Sequence, residues 1–167
     1  MEKLSIALTY NDVLLKPNYS GFDRSDISLK TKITKNIAIN MPFVASPMDT
    51  VTESLLAIKL AELGGVGIIH RNLTVPQQAK EVTTVKKAGQ LVGAAVGSSP
   101  GYEERVEALV KAGVDIILVD SAHGYSKKVI EATKYIKKHY KVDVIAGSIA
   151  TADGAKALIE AGDDGLR

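Results

Sequence analysis

Cysteine is absent from all 167 residues. Its absence excludes disulfides, thiolate metal sites and any cysteine nucleophile supplied by this chain itself. An excess of one charge is missing too, since 21 Lys and Arg stand against 19 Asp and Glu, a net charge of +2. Nothing here matches the concentrated basic surplus that phosphate contacts demand, so nucleic acid is not an expected partner. Long hydrophobic runs are also lacking. The longest uncharged stretch, Ala88 to Tyr102, has 15 residues and is interrupted by glycine, serine and proline, short of the about 20 apolar residues that cross a bilayer. No membrane partner is expected. No apolar segment of signal-peptide type follows Met1-Glu-Lys-Leu-Ser5, and the expected location is cytoplasmic. What remains, 46% hydrophobic and 24% charged residues, is the composition of an ordinary folded domain.

Short apolar runs recur at a nearly fixed interval. They begin at Phe43, Val66, Leu91, Ile116 and Val142, separated by 23, 25, 25 and 26 residues. Between them the apolar positions follow helical spacing, as at Ala79, Val82 and Val85, or Tyr102, Val106, Leu109 and Val110. Strand and helix therefore alternate five times. Side chains able to accept from the first free helical N–H groups mark the starts: Thr50 with Glu53, Thr74 with Gln77, Ser99 before Pro100, Ser126 and Thr151. The stops are expected at Gly64, Gly89, Gly113 and Gly162. Lys111-Ala-Gly-Val-Asp-Ile-Ile-Leu118 and Glu160-Ala-Gly-Asp-Asp-Gly-Leu-Arg167 align at an offset of 49, which predicts the start of a sixth strand. Asp163 and Gly165 stand there in place of Val114 and Ile116, and both weaken a strand, so a frayed end is expected.

Continuous apolar runs, rather than alternating ones, belong to strands buried on both faces of a parallel sheet. A doubly wound sheet and a (β/α)8 barrel both satisfy this. The doubly wound dinucleotide fold wants G-x-G-x-x-G after a strand, whereas Gly64-Gly-Val-Gly67 precedes one and reads as a helix stop. Polar loops instead follow every strand: Ser46–Thr50, His70–Thr74, Gly97–Gly101, Asp120–Ser126 and Gly147–Thr151. Five such loops gather on one rim in a barrel. The fold class read from the chain is α/β, of (β/α)8 TIM-barrel type with its first five units present. Residues 1–42 form an N-terminal extension, and 43–167 hold the five units and the start of strand six. A full barrel takes about 250 residues. A partial barrel is therefore expected, either the N-terminal part of a single longer barrel domain or an arc completed by association.

The loop residues admit two chemistries each. Asp120 ends a strand where a carboxylate can accept from a ribose diol while Ser121 adds a donor, yet it also suits a residue preceding a helix. Ser46 and the backbone near Thr50 precede a helix N-terminus that can receive a phosphate, and plain capping by Thr50 explains the same residues. Met48 can lie against a purine or fill a core gap. His70 and His123 end strands without ligand spacing, so no metal site is expected. Lys127, Lys128, Lys134, Lys137, Lys138 and Lys141 read as a solvated helix face.

Six motifs in order carry a family likeness: Leu8-Thr-Tyr-Asn-Asp-Val-Leu-Leu-Lys-Pro-Asn-Tyr-Ser20, Met41-Pro-Phe-Val-Ala-Ser-Pro-Met-Asp-Thr-Val-Thr-Glu53, Gly64-Gly-Val-Gly-Ile-Ile-His70, Val92-Gly-Ala-Ala-Val-Gly97, Asp120-Ser-Ala-His-Gly124 and Ala146-Gly-Ser-Ile-Ala-Thr151. The chain resembles the catalytic barrel of the inosine monophosphate (IMP) dehydrogenase family. That resemblance implies NAD-dependent oxidation of IMP to xanthosine monophosphate (XMP) through a cysteine thioimidate, in guanine nucleotide synthesis. It assigns Ser46 and Met48 to the substrate nucleotide. Asp120, Ser121 and Ala122 go to the dinucleotide, with Ser148 and Arg167 grouped beside them. It further implies IMP and NAD as partners, a potassium ion, and a homo-oligomer that is a tetramer in the full-length family.

Departures qualify the likeness. The family's cysteine, potassium loop and mobile flap follow strand six and have no counterpart here, so the 167 residues alone are expected to be inactive. Ser148 stands where the family pattern has Asn. Many members insert a regulatory pair of cystathionine-β-synthase-type modules, while here Lys86-Lys-Ala-Gly-Gln-Leu91 runs straight through. Two other readings compete: an enzyme like guanosine monophosphate (GMP) reductase, and a non-catalytic half-barrel that binds nucleotide weakly or only self-associates.

Overall fold

The computed structural model describes residues 6–167. Met1–Ser5, with the reading of that opening as no signal peptide, lie outside the described residues. From residue 6 to residue 30 the regular structure among the described residues is two short 3-10 turns at Tyr10–Asp12 and Arg24–Asp26. A hairpin follows, β1 (Thr31–Lys32) antiparallel to β2 (Ala38–Ile39). The repeating part then runs β3 (Val44–Ala45), α1 (Ser54–Glu62), β4 (Val66–Ile69), α2 (Val75–Lys87), β5 (Val92–Val96), α3 (Tyr102–Lys111), β6 (Ile116–Asp120), α4 (Lys127–His139), β7 (Asp143–Gly147), α5 (Ala152–Glu160) and β8 (Gly165–Leu166).

The sheet is parallel throughout, in the order β3-β4-β5-β6-β7-β8, so each strand neighbours the next in sequence. This is a half-barrel of six strands with helices, the expected partial barrel. Strand side chains divide between two cores because their direction alternates. Ile69, Val92, Ala94, Val96, Ile117, Val119, Val144 and Ala146 pack with Ala57, Val82, Val85, Leu109, Ile136 and Leu158 of the helices. Val66, Ile68, Ala95, Ile116, Leu118 and Ile145 form the second core, on the concave side. Both faces of the sheet are covered, which is why the runs are continuously apolar.

The hairpin, which periodicity did not reveal, covers the concave core. Ile39 is buried in it and Ile33 and Ile37 pack against it. Thr34 Oγ1 donates to Asp143 Oδ2 at 2.5 Å and Asn36 Nδ2 to Asp143 Oδ1 at 2.8 Å, fastening the turn to the start of β7. The Lys35 amide donates to the Asp164 carbonyl at 2.9 Å, fastening it to the approach to β8.

Helix boundaries follow the capping signals in part. Thr74 accepts from the Gln77 amide in a reciprocal capping box, and Thr151 accepts from the Gly154 amide. Gly64, Gly89, Gly113 and Gly162 carry φ of 92°, 72°, 86° and 97°, the left-handed stops expected. Two starts are corrected. Thr50 is itself left-handed (φ 58°) and α1 begins later, with Glu53 in the cap position. Ser99 likewise gives way to Gly101 (φ 92°) before α3. Ser126 holds the cap position of α4 without a side-chain cap bond. α3 starts at Tyr102 directly after a turn in which the Tyr102 amide donates to the Ser99 carbonyl at 3.2 Å, and a serine followed by proline can serve that turn instead of capping.

The expected fraying at the sixth strand is also corrected. Gly165 and Leu166 pair with Ile145 and Ala146, the Arg167 amide donates to the Ala146 carbonyl at 3.0 Å, and the Ile149 amide donates to the Arg167 carbonyl at 2.9 Å. Gly165 fits because a Cβ there would stand 2.7 Å from the Ile33 carbonyl oxygen of the hairpin. Close approach, not strand propensity, selects glycine at that place.

Candidate nucleotide site

The parallel order puts the C-terminal ends of all six strands on one rim. Inside that rim lies a cavity of about 280 Å³ lined by Ser46, Pro47, Leu118, Ile145, Leu166 and Arg167, with Ile33, Val44 and Ile68. Its wall is largely aliphatic, and its polar lining residues, Ser46 and Arg167, are exposed. Ser46 reaches it from the end of β3 and Arg167 from beyond β8, so residues 121 positions apart face one space.

Asp120 closes the arrangement. Its Oδ1 accepts from Arg167 Nη1 in an ion pair, both side chains remaining partly exposed. The loops beneath this pair are stitched together. The Ser121 amide donates to the Gly147 carbonyl at 2.8 Å, the Ser148 amide to the Ser121 carbonyl at 2.7 Å, and the Gly124 amide to the Ser148 carbonyl at 2.7 Å. A Cβ at Gly147 would run into the Arg167 backbone. The loop after β6, the loop after β7 and the end of β8 thus approach as backbone on backbone.

Asp120, Ser121, Ser148 and Arg167 are therefore neighbours, and Ser46 shares the cavity with Arg167. Ala122 and Ser148 are exposed. The Ser121 hydroxyl donates to the His123 carbonyl at 3.1 Å and accepts from the His123 amide at 3.2 Å, so it is engaged locally. Met48 is 58% exposed and does not line the cavity. Among the described residues no group of three or more His, Cys, Asp or Glu is placed to hold a metal ion.

Two supporting clusters escaped the sequence reading. His70 is buried at the end of β4 with Nε2 at 3.3 Å from Glu53 Oε1 and 3.7 Å from Asp49 Oδ1. Gln78, also buried, donates from Nε2 to the Ala95 carbonyl at 2.8 Å and accepts from Arg105 Nη1 at 2.7 Å, while Arg105 Nη2 donates to the Leu73 carbonyl at 3.0 Å. Burial, and then Arg71 nearby, lower the Arg105 pKa. The sequence signal was a polar residue directly after an apolar run at His70 and one in helical register with Val82 and Val85 at Gln78, and their partners lie on other elements.

Chemically, the aliphatic lining of Leu118 and Ile145 suits a flat heterocycle, and the Ser46 hydroxyl and Arg167 guanidinium suit a sugar or phosphate. No helix of the described residues is long and apolar enough to cross a membrane. The family model described as "IMP dehydrogenase / GMP reductase domain" matches residues 7–167. Relatives named inosine-5'-monophosphate dehydrogenase are similar to nearly the whole chain. One from Borreliella burgdorferi is 40% identical over 96% of this chain and 52% of its own length. One from Cryptosporidium parvum is 38% identical over 96% of this chain and 50% of its own, and one from Aquifex aeolicus 31% identical over 99% and 60%. The chain spans about half the length of the first two.

Proposed function

The chain belongs to the IMP dehydrogenase / GMP reductase family, and on that premise we propose that it supplies nucleotide-binding residues to an oxidoreductase that converts IMP to XMP with NAD. The observation that carries the reading is the aliphatic cavity lined by both Ser46 and Arg167, the latter paired with Asp120. In this reading the hypoxanthine ring of IMP lies in the cavity and the Ser46 hydroxyl hydrogen-bonds the nucleotide. Met48, exposed on the same loop, folds its thioether onto the purine, a contact suited to a flexible polarizable side chain.

NAD, when bound, accepts the hydride that leaves the substrate. The residues present fit such a ligand: Asp120 keeps a second carboxylate oxygen beyond its bond to Arg167, able to accept from a ribose hydroxyl. Ser121, Ala122 and Ser148 shape the adjoining backbone, and Arg167 orients the Asp120 carboxylate. Since no cysteine occurs in these 167 residues, a thioimidate step needs a nucleophile from outside this chain, and the chain alone is proposed to be inactive. No residue here is assigned to potassium. A cytoplasmic homo-oligomer acting in guanine nucleotide synthesis belongs to the same proposal.

The dehydrogenase reading is preferred over the reductase because the relatives described above carry the dehydrogenase name. Calorimetric titration of the purified chain with IMP and with GMP tests it. IMP binding is expected, weakened about five- to tenfold by Ser46→Ala, the loss of one hydrogen bond, with no NADH formed from IMP and NAD. Preferential GMP binding overturns the dehydrogenase reading, and NADH formation by the pure chain overturns the need for an external nucleophile.

A further inference from the structure

The segment carrying Ser46 and Met48 is an irregular loop of eight residues, Ser46 to Glu53, between β3 and α1. Its own backbone holds part of it. Met48 donates to the Ser46 carbonyl, the Val51 and Thr52 amides donate to the Met48 carbonyl, and Thr50 sits in the left-handed region. Within the loop the buried Thr52 hydroxyl also donates to the Ser46 carbonyl at 2.5 Å. A tie from outside comes from the end of β4, where the His70 amide donates to the Thr52 carbonyl at 3.4 Å.

The imidazole adds the remaining connection. The Asn72 amide donates to His70 Nδ1 at 3.2 Å, which leaves the ring proton assigned to Nε2. That proton is directed at Glu53 Oε1 at 3.3 Å, with Asp49 Oδ1 at 3.7 Å. Asp49 is held a second time, its Oδ2 accepting from Asn72 Nδ2 at 3.4 Å. Glu53 occupies the cap position of α1 but makes no side-chain cap bond there, spending its carboxylate on the histidine instead. Both carboxylates are about half exposed while the imidazole is buried, so the histidine is the fixed post and the acidic residues are the movable ends.

We infer that His70 is a positioning residue for substrate, fixing the Ser46–Glu53 loop through Glu53 and Asp49 so that Ser46 and Met48 present to the nucleotide. It touches no substrate itself. The inference rests on the proposed nucleotide site, and its test separates the two. Three variants of the full chain are compared with wild type by amide hydrogen exchange and by IMP titration. His70→Leu removes both ring nitrogens, His70→Gln returns an N–H donor near the Nε2 position, and Glu53→Ala removes the acceptor from the exposed side without disturbing the core.

Expected is faster exchange at the Val51 and Thr52 amides in His70→Leu and Glu53→Ala, with IMP affinity about tenfold weaker in His70→Leu, less so in Glu53→Ala, and both readouts restored in His70→Gln. Unchanged exchange in His70→Leu and Glu53→Ala overturns the inference. Faster exchange with unchanged IMP affinity overturns the link to substrate. If His70→Leu fails to fold, Glu53→Ala and His70→Gln decide by the same criteria. If wild type binds no IMP, the proposed function fails, and the exchange arm then decides separately whether His70 holds the loop.

Discussion

Asp120 and Arg167 form an ion pair whose members remain in contact with water, so its net contribution to folding is small, about 0 to 1 kcal/mol. Its value lies in orientation. Arg167 is anchored by backbone at both its amide and its carbonyl, and the pair therefore fixes the orientation of the Asp120 carboxylate. Asp120→Asn keeps the size of the side chain and removes its charge. The expected outcome is NAD affinity about five- to tenfold weaker, read by calorimetry, with the thermal midpoint within about 3 °C of wild type. A large fall in the midpoint with unchanged NAD affinity would assign the pair to stability instead.

The turn from α5 into β8 contains a group whose titration is built into the element. Asp163 is 2% exposed. Burial raises its pKa to about 7; the Ala146 N–H that Oδ2 accepts at 3.2 Å opposes the rise, and the neighbouring Asp164 carboxylate adds to it. Lys35, whose Nζ donates to the Asp163 carbonyl at 2.7 Å, opposes it weakly. Asp163 Oδ1 has no partner among the described residues, which is the environment a protonated carboxyl tolerates better than a carboxylate. The folded chain thus binds this proton more tightly than the unfolded chain, whose Asp titrates near its ordinary value of 3.8. Stability from this group is complete below that ordinary value, declines as pH rises toward about 7, and is level above. Asp163→Asn, neutral at every pH, is expected to flatten the decline. Urea midpoints at about pH 5 and pH 8 should differ less in the variant than in wild type, and an equal difference in both would refute the assignment.

Across the whole molecule, two cores on opposite faces of one sheet stabilise the half-barrel, and the concave one depends on a hairpin distant in sequence. Ile39 is 4% exposed among Val66, Ile68, Ile116, Leu118 and Ile145. Ile39→Ala is expected to lower unfolding free energy by about 2–5 kcal/mol, the cost of a buried aliphatic truncation. Chemical denaturation measures it. The same change should weaken IMP binding as well, because Ile33 of that hairpin lines the cavity. A loss below about 1 kcal/mol would mean that the hairpin merely rests on the barrel.

The alternation of strand and helix was legible along the chain because burial on both faces makes each strand a continuous apolar run, and because Gly64, Gly89, Gly113 and Gly162 are stops for a local reason, a left-handed residue. The parallel order followed from the short connections, with only Ala88–Leu91 joining α2 to β5. Asp120 and Ser46 were visible as polar residues ending such runs. Local signals failed where partners are remote. The start of α1 moved to Ser54 as the loop before it was claimed by Thr52 and His70, and β8 formed despite Asp163 and Gly165 since the hairpin backbone required a glycine against Ile33. The sequence by itself determined the repeating units, their boundaries at the glycines and the residues that end each strand, all set by interactions within a few positions. Only the tertiary structure decided that Arg167 pairs with Asp120, that Ile39 fills the concave core and that His70 faces Glu53, because each joins elements whose approach depends on the assembly of the sheet.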